Sequence, residues 1–310
     1  MIKSPKVINA FSVVALFLIF ANNICYGQQT PVFPEYNYNP FIVNSAYAGF
    51  LDEGEITLAG SGFLGAIEGS PETVGLSFHS PLRDGIMGLG GAVIRDQIGV
   101  TTTTSAYGAY SYRIFFDFKE NRPYWQIYQK PSLSFGLTAG MQQFQDNLLE
   151  LGISNDPTFA SNVNATLPLV GIGILFNKAN FYAGVSTPNI LGSRFSSDDR
   201  VDLKSVYYGN FGYRFFPNGD DILLKPSMLV KYENGSPLQA DINMSLSLRD
   251  KLEVGVGYRT NSSINVLAGF YLFDSFRFIY TYNIASKDLT IGNTHGLILS
   301  FQFNRGYSID

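Results

Sequence analysis

The sequence predicts an all-β protein: an antiparallel transmembrane β-barrel of the outer-membrane kind. It should have roughly fourteen strands and a short irregular N-terminal segment in or at the barrel. Three observations predict this. An export signal opens the chain. From Glu55 almost to the end, apolar and polar residues alternate with the period of a strand. The composition is poor in charge without being apolar: 15% charged residues, 45% hydrophobic, mean hydropathy +0.06.

A soluble domain carries about 25% charged residues. The 31 Gly, 19 Tyr and 26 Phe of this chain suit a wall with one face in lipid and one in water. A large soluble β-sandwich shares that composition, so composition alone leaves both open. The net charge of −4 and a pI near 5.3 argue against nucleic acid as a partner, since nucleic acid selects basic surfaces.

Lys3 and Lys6 precede a run from Val7 to Ala21 broken only by Asn9 and Ser12. The run is too short for a membrane span and turns polar at Asn22-Asn23, which is the pattern of a secretory signal. Cys25 and Gly27 suit the small-residue positions before a cleavage site, so residues 1–27 are expected to be removed and Gln28 to be the mature N-terminus. Ile24 before Cys25 is not the small residue a lipoprotein signal needs. Cys25 is the lone cysteine, and its removal excludes disulfides and thiolate metal sites.

After the signal no stretch reaches the length of an apolar spanning helix. Leu238–Arg249 is the clearest strand. Leu238, Ala240, Ile242, Met244, Leu246 and Leu248 alternate with Gln239, Asp241, Asn243, Ser245, Ser247 and Arg249. A strand puts the first set on one face and the second on the other. Met244 is therefore expected to meet lipid and Ser245 the lumen. Leu133–Gln142, Leu252–Arg259, Phe276–Asn283 and Leu297–Phe303 repeat the pattern, and Tyr107–Tyr112 and Tyr207–Phe215 are aromatic versions of it. Turn signals separate them at Arg83-Asp84-Gly85, Pro217–Asp220, Glu233-Asn234-Gly235, Arg249-Asp250-Lys251, Asn261-Ser262-Ser263 and Asp274-Ser275. Longer polar stretches lie at Glu120–Arg122, Gln145–Asn164 and Gly192–Lys204. Short turns on one side and long loops on the other are the asymmetry of outer-membrane barrels. The polar face is small and hydrophilic, whereas a sandwich would fill it with large apolar residues. That favours the membrane barrel, with Trp125 and its tyrosine neighbours as an interfacial girdle.

Catalytic, cofactor and metal motifs are not found. His79 and His295 have no ligand partner at i+2 or i+4, and no Gly-x-Ser-x-Gly elbow occurs, which counts against a barrel lipase. Asp198-Asp199, Asp202 and Asp220-Asp221 lack the ladder of a calcium loop and read as solvated. The glycines at 88, 90, 91, 171, 173, 255 and 257 read as wall positions that make room for a plug or another chain.

Residues 28–50, QQTPVFPEYNYNPFIVNSAYAGF, do not alternate. Here Tyr36, then Tyr38-Asn39-Pro40, then Asn44-Ser45-Ala46-Tyr47-Ala48-Gly49 resemble the opening motif of the PorP/SprF family of type IX secretion outer-membrane proteins, with Ser45 in place of the usual Pro. Ser77–Pro81, Gly88–Gly91 with Asp96 and Gly99, Lys225-Pro226-Ser227, Gln239-Ala240-Asp241, Gly257-Tyr258-Arg259 and Thr294-His295-Gly296 resemble later pieces of the same family, in order. The resemblance implies a non-enzymatic outer-membrane component without a cofactor. Its partners would be a secreted client with a C-terminal sorting domain, such as an adhesin, and periplasmic secretion components. Gliding motility is one setting for such proteins. The residues that carry the motif, Tyr36, Asn39, Pro40, Asn44, Ala46, Tyr47, Ala48, Gly49, Asp96, Asp241, Arg259 and His295, become the candidate partner-binding set. The lumen side of the strands (Asp241, Asn243, Arg249, Glu253, Arg259, Arg277) is where a client or plug would be held. A porin or transporter of small, hydrophobic molecules is the other reading, and it needs an open lumen.

Overall fold

The computed structural model describes residues 36–62, 69–83, 85–117, 129–153, 156, 159–198, 200–201, 203–217, 221–260, 263–285 and 293–303. The expected signal (1–27), residues 28–35, Trp125, the stretch Glu120–Arg122, and Asp199, Asp202 and Asp220 lie outside the described residues.

Fourteen strands form one closed antiparallel barrel. They are β1 (Glu55–Gly62), β2 (Glu72–Leu82), β3 (Met87–Ile98), β4 (Thr101–Phe115), β5 (Gln129–Asp146), β6 (Val163–Ala179), β7 (Phe181–Thr187), β8 (Val206–Tyr213), β9 (Ile222–Glu233), β10 (Gln239–Leu248), β11 (Leu252–Arg259), β12 (Ser263–Leu272), β13 (Phe276–Ala285) and β14 (Thr294–Gln302). Each pairs with its neighbours in sequence, and β1 closes on β14 from Glu55↔Gln302 to Gly62↔His295. Closure removes the two free edge strands of an open sheet, whose unpaired backbone groups hydrocarbon would penalise. No helix among the described residues is long and apolar enough to cross a membrane.

The side chains are distributed inside out relative to a soluble protein. On β10, Ile242 is 52% exposed and Met244 43%, while Asp241 is 2% and Ser245 4%. Leu76, Val93, Leu137, Val185 and Val254 are likewise exposed outward, and Thr57, Ser77, Ser111, Ser134 and Asn177 are buried inward. An apolar outer band and a polar inner face are what lipid and a lumen impose on alternate residues of one strand.

β1 begins, and β14 ends, at the same end of the barrel. At that end Asn180 alone joins β6 to β7, and three residues join β10 to β11 and β12 to β13, although residues 116–128 join β4 to β5. Arg249 and Asp250 turn through left-handed backbone, as do Phe273 and Asp274, the geometry of tight hairpins. The described residues between β5 and β6 and between β7 and β8 lie at the opposite end, where the second loop bonds back to β6 from Ile190 to Val170 and from Ser197 to Thr166.

Two expectations about facing are corrected. Arg249 is not in the lumen: it sits in the β10–β11 turn, exposed, and pairs with Asp221 at 3.0 Å. The strand ends one residue before it, so the alternation no longer fixes its side. The inner wall is also not uniformly small and polar. Leu175, Ile279 and Ile298 are almost fully buried inside, and they mark where the N-terminal segment packs.

Candidate functional site

Residues 36–50 cross the lumen. Pro40–Val43 form a single helical turn, α1, and Ser45–Tyr47 a 3-10 turn. Proline suits the first turn of a helix because its missing N–H would have no partner there. The Asn44 side chain caps the second turn, accepting from the Ala46 N–H at 2.9 Å. Such a segment cannot join the ladder, so its polar groups must find partners in the wall.

Most do so around the barrel, although Asn39 Oδ1 and Ser45 Oγ are buried without a hydrogen bond. The Tyr36 hydroxyl accepts from Asn243 at 2.8 Å and lies 3.3 Å from the carbonyl oxygen of Asp241. Asn37 accepts from Ser227 at 2.9 Å, and Asn39 donates to Ser77 at 2.8 Å. Ser186 donates to the Val43 carbonyl at 2.8 Å and Asn44 donates to the Ile174 carbonyl at 3.1 Å. Asn210 donates to the Tyr47 hydroxyl at 2.9 Å. Ser111 donates to the Ala48 carbonyl at 2.6 Å, and Arg113 to the Gly49 carbonyl at 2.8 Å.

Tyr38 sits in a belt of charge. Its hydroxyl donates to Glu253 at 2.9 Å, and Tyr271 donates to the other carboxylate oxygen at 2.6 Å. Lys225 pairs with Glu253, and Arg277 reaches Glu55 at 3.3 Å and the Tyr38 carbonyl at 2.7 Å. Both cations also stand over the Tyr38 ring, 5.7 and 5.5 Å from its centre. Below the ring lie Ala59, Leu267, Ile279 and Ile298. Burial, and for Tyr38 the Glu253 carboxylate, push the phenols of Tyr36, Tyr38 and Tyr47 well above the ordinary range, so all three stay neutral.

The wall is carved for this segment. A β-carbon at Gly88 would overlap the Ala48 carbonyl, at Gly136 the Ser45–Ala46 backbone, and at Gly173 the Asn44 side chain. At Gly90 it would lie 2.7 Å from the Phe41 ring. Gly49 in turn has φ +62 and leaves 2.8 Å between its missing β-carbon and Gly88 or Pro81. Gly91, read as one of the room-making set, faces the β4 backbone instead, and Gly171 makes room for Pro188.

The structure thus brings Tyr36, Asn39, Pro40, Asn44, Ala46, Tyr47, Ala48 and Gly49 together in the lumen, with Asp241 beside Tyr36. Arg259 grips Asp241 through two bonds of 2.8 Å each, and Gln239 adds a third at 3.1 Å. Asp96 is buried but stands apart, held by Thr73 toward the end away from the termini. His295 does not join the set. It faces outward with Tyr280 and Tyr282, the Tyr280 hydroxyl 2.5 Å from its Nδ1. Sequence reading missed Arg113, Ser111, Ser186 and Asn210. Each is an ordinary inward residue of its strand, and nothing local marks it as a partner of a segment 63 or more residues away. Among the described residues no cluster of three His, Cys, Asp or Glu side chains could hold a metal ion.

Residues 26–301 match the family described as the type IX secretion system membrane protein PorP/SprF. The chain belongs to that family. A PorP/SprF protein with an apolar-faced closed barrel is an outer-membrane component of type IX secretion, and that is what this chain is. No curated protein matches the chain. Solved barrels resemble it at low identity. Omp33 of Acinetobacter baumannii is 12% identical, with 82% of this chain and 100% of that one covered and a TM-score of 0.46. A mutant of the TodX monoaromatic hydrocarbon channel is 9% identical over 86% and 94%, with a TM-score of 0.49. The CymD monoaromatic hydrocarbon channel is 10% identical over 89% and 94%, with a TM-score of 0.47.

Proposed function

We propose that this PorP/SprF protein is a non-enzymatic holder for a type IX-secreted client with a C-terminal sorting domain, such as an adhesin. It works with periplasmic secretion components, is exported by a signal cleaved after Gly27, and uses residues 28–50 as a fixed floor of the barrel. The observation that carries this reading is the seating of residues 36–50, bonded to strands on all sides of the lumen and matched by glycines in the wall. A protein that holds a client while keeping the membrane sealed needs such a floor. A porin or small-molecule transporter needs a path, and the same segment lies across it.

Deleting residues 28–50 tests the reading. The expected result is a barrel with raised conductance in planar bilayers and loss of client display at the cell surface. Because the wall is shaped around the segment, Tyr38→Ala with Tyr47→Ala serves as a milder second variant. Unchanged conductance and normal display in both would overturn the proposal. Conductance of small solutes by the intact protein would favour the transporter.

A further inference from the structure

The outer wall carries a depression. Between β8 and β9 the paired residues run to Ser227↔Gly212 and resume in the same register at Phe215↔Leu224. The gap falls at Pro226, which has no N–H to give to the ladder. On the lipid side of this lapse lies a groove of about 670 Å3. Its walls are outward side chains of β7 to β12, chiefly Phe211, Tyr213, Met228, Ile242, Met244 and Val256. No charged residue lines it. The two polar side chains at its base, Ser227 and Asn243, are turned inward and spent on Asn37 and Tyr36.

We propose that this groove is a binding site for the acyl chain of an outer-membrane lipid. It is continuous with the apolar band that meets the bilayer, so hydrocarbon is what reaches it. An unfilled apolar depression loses the dispersion contacts its lining could make. The wall of a partner barrel is broad and would bridge the groove, whereas an acyl chain is narrow and flexible enough to enter it. Met228 and Met244 have unbranched, adaptable side chains that can close around such a chain. The site also touches the floor of the barrel through the wall: β9 and β10 present Met228 and Met244 outward and bind Asn37 and Tyr36 from the residue just before each, Ser227 and Asn243. The proposal rests on membrane placement and not on the client reading.

Native mass spectrometry of the purified full chain, washed in detergent and then mixed with phospholipid, tests it. The wild type should retain one phospholipid. Val256→Trp fills the groove with apolar bulk and should lower occupancy about tenfold, equivalent to about 1.4 kcal/mol. Val93 is about as exposed as Val256 but lies on β3, outside the groove, so Val93→Trp should retain lipid as the wild type does. If Val256→Trp fails to assemble, Met244→Phe replaces it. Equal occupancy in both tryptophan variants, or no lipid on the wild type, overturns the proposal. So does a retained free fatty acid or hydrocarbon in place of phospholipid, or a co-purifying protein chain lost with Val256→Trp.

Discussion

The side chain of Asn44 occupies the place that a β-carbon on Gly173 would take, and it donates from Nδ2 to the carbonyl of Ile174, the next residue of β6. Segment and wall are therefore complementary at the level of single atoms. Gly173→Ala and Gly136→Ala should each destabilise the folded barrel by about 1–3 kcal/mol, the usual penalty of overpacking. Gly209→Ala should be neutral, because nothing lies within 4 Å of its missing β-carbon. Heat-induced loss of the compact gel mobility of the folded barrel measures all three. Equal midpoints would show that the segment yields without cost.

Facing of the wall gives a second expectation. Met244→Arg puts a charge into lipid and should cost about 2–4 kcal/mol near the midplane, while Met244→Leu should be close to neutral. Refolding yield into lipid vesicles reads the difference. Ser245, the inward neighbour, is not a tolerant control for arginine: it is 4% exposed and packs under Gly255, whose missing β-carbon would lie 3.0 Å from it. The lumen at that level is filled, so Ser245→Arg should also fail, through overpacking.

The tyrosines of the segment predict an alkaline limit. A phenol in water ionises near 10, and burial raises Tyr36, Tyr38 and Tyr47 above that. A raised folded value means their contribution to stability is complete below pH 10 and is lost as the pH climbs toward the folded values. Ultraviolet titration at about pH 11 should find these three still neutral. Tyr47→Phe should leave the count of ionising phenols at that pH unchanged. A drop by one would place Tyr47 in water and undo its lumen assignment.

Much of the barrel was legible because lipid and lumen place opposite demands on alternate residues, so Leu238–Leu248 could be assigned to faces from the sequence. The facing of His295 was equally legible, since Leu297 and Leu299 of the same strand point outward and fix its parity. Arg249 was misplaced because alternation in the sequence runs one residue past the strand. Alternation already put Ile279 and Ile298 on the polar side of their strands, but apolar residues there, like Leu267, make sense only once Tyr38 is known to rest on them. Glycines inside the wall announced space, but what fills it came from Asn44, Ala46 and Ala48, more than thirty residues away in sequence.

Asp241 and Arg259 face each other across β10 and β11 and are both nearly buried, with two bonds of 2.8 Å between them. Removing one partner leaves the other charge inside without compensation. Arg259→Met should therefore cost about 3–5 kcal/mol. Asp241→Leu combined with Arg259→Met removes both charges and should recover part of that loss, because a buried pair returns little beyond its own desolvation. Gln239, which also donates to Asp241, would lose that acceptor, so recovery should be incomplete. The carbonyl of Asp241 near the Tyr36 hydroxyl is backbone and survives both changes, which keeps the segment anchored there. Folding midpoints of the two single variants and the double variant, compared as a cycle, give the coupling. A double variant weaker than either single one would mean that the pair stabilises the barrel outright, and would make the charge pair, not the segment, the organising contact of that side of the lumen.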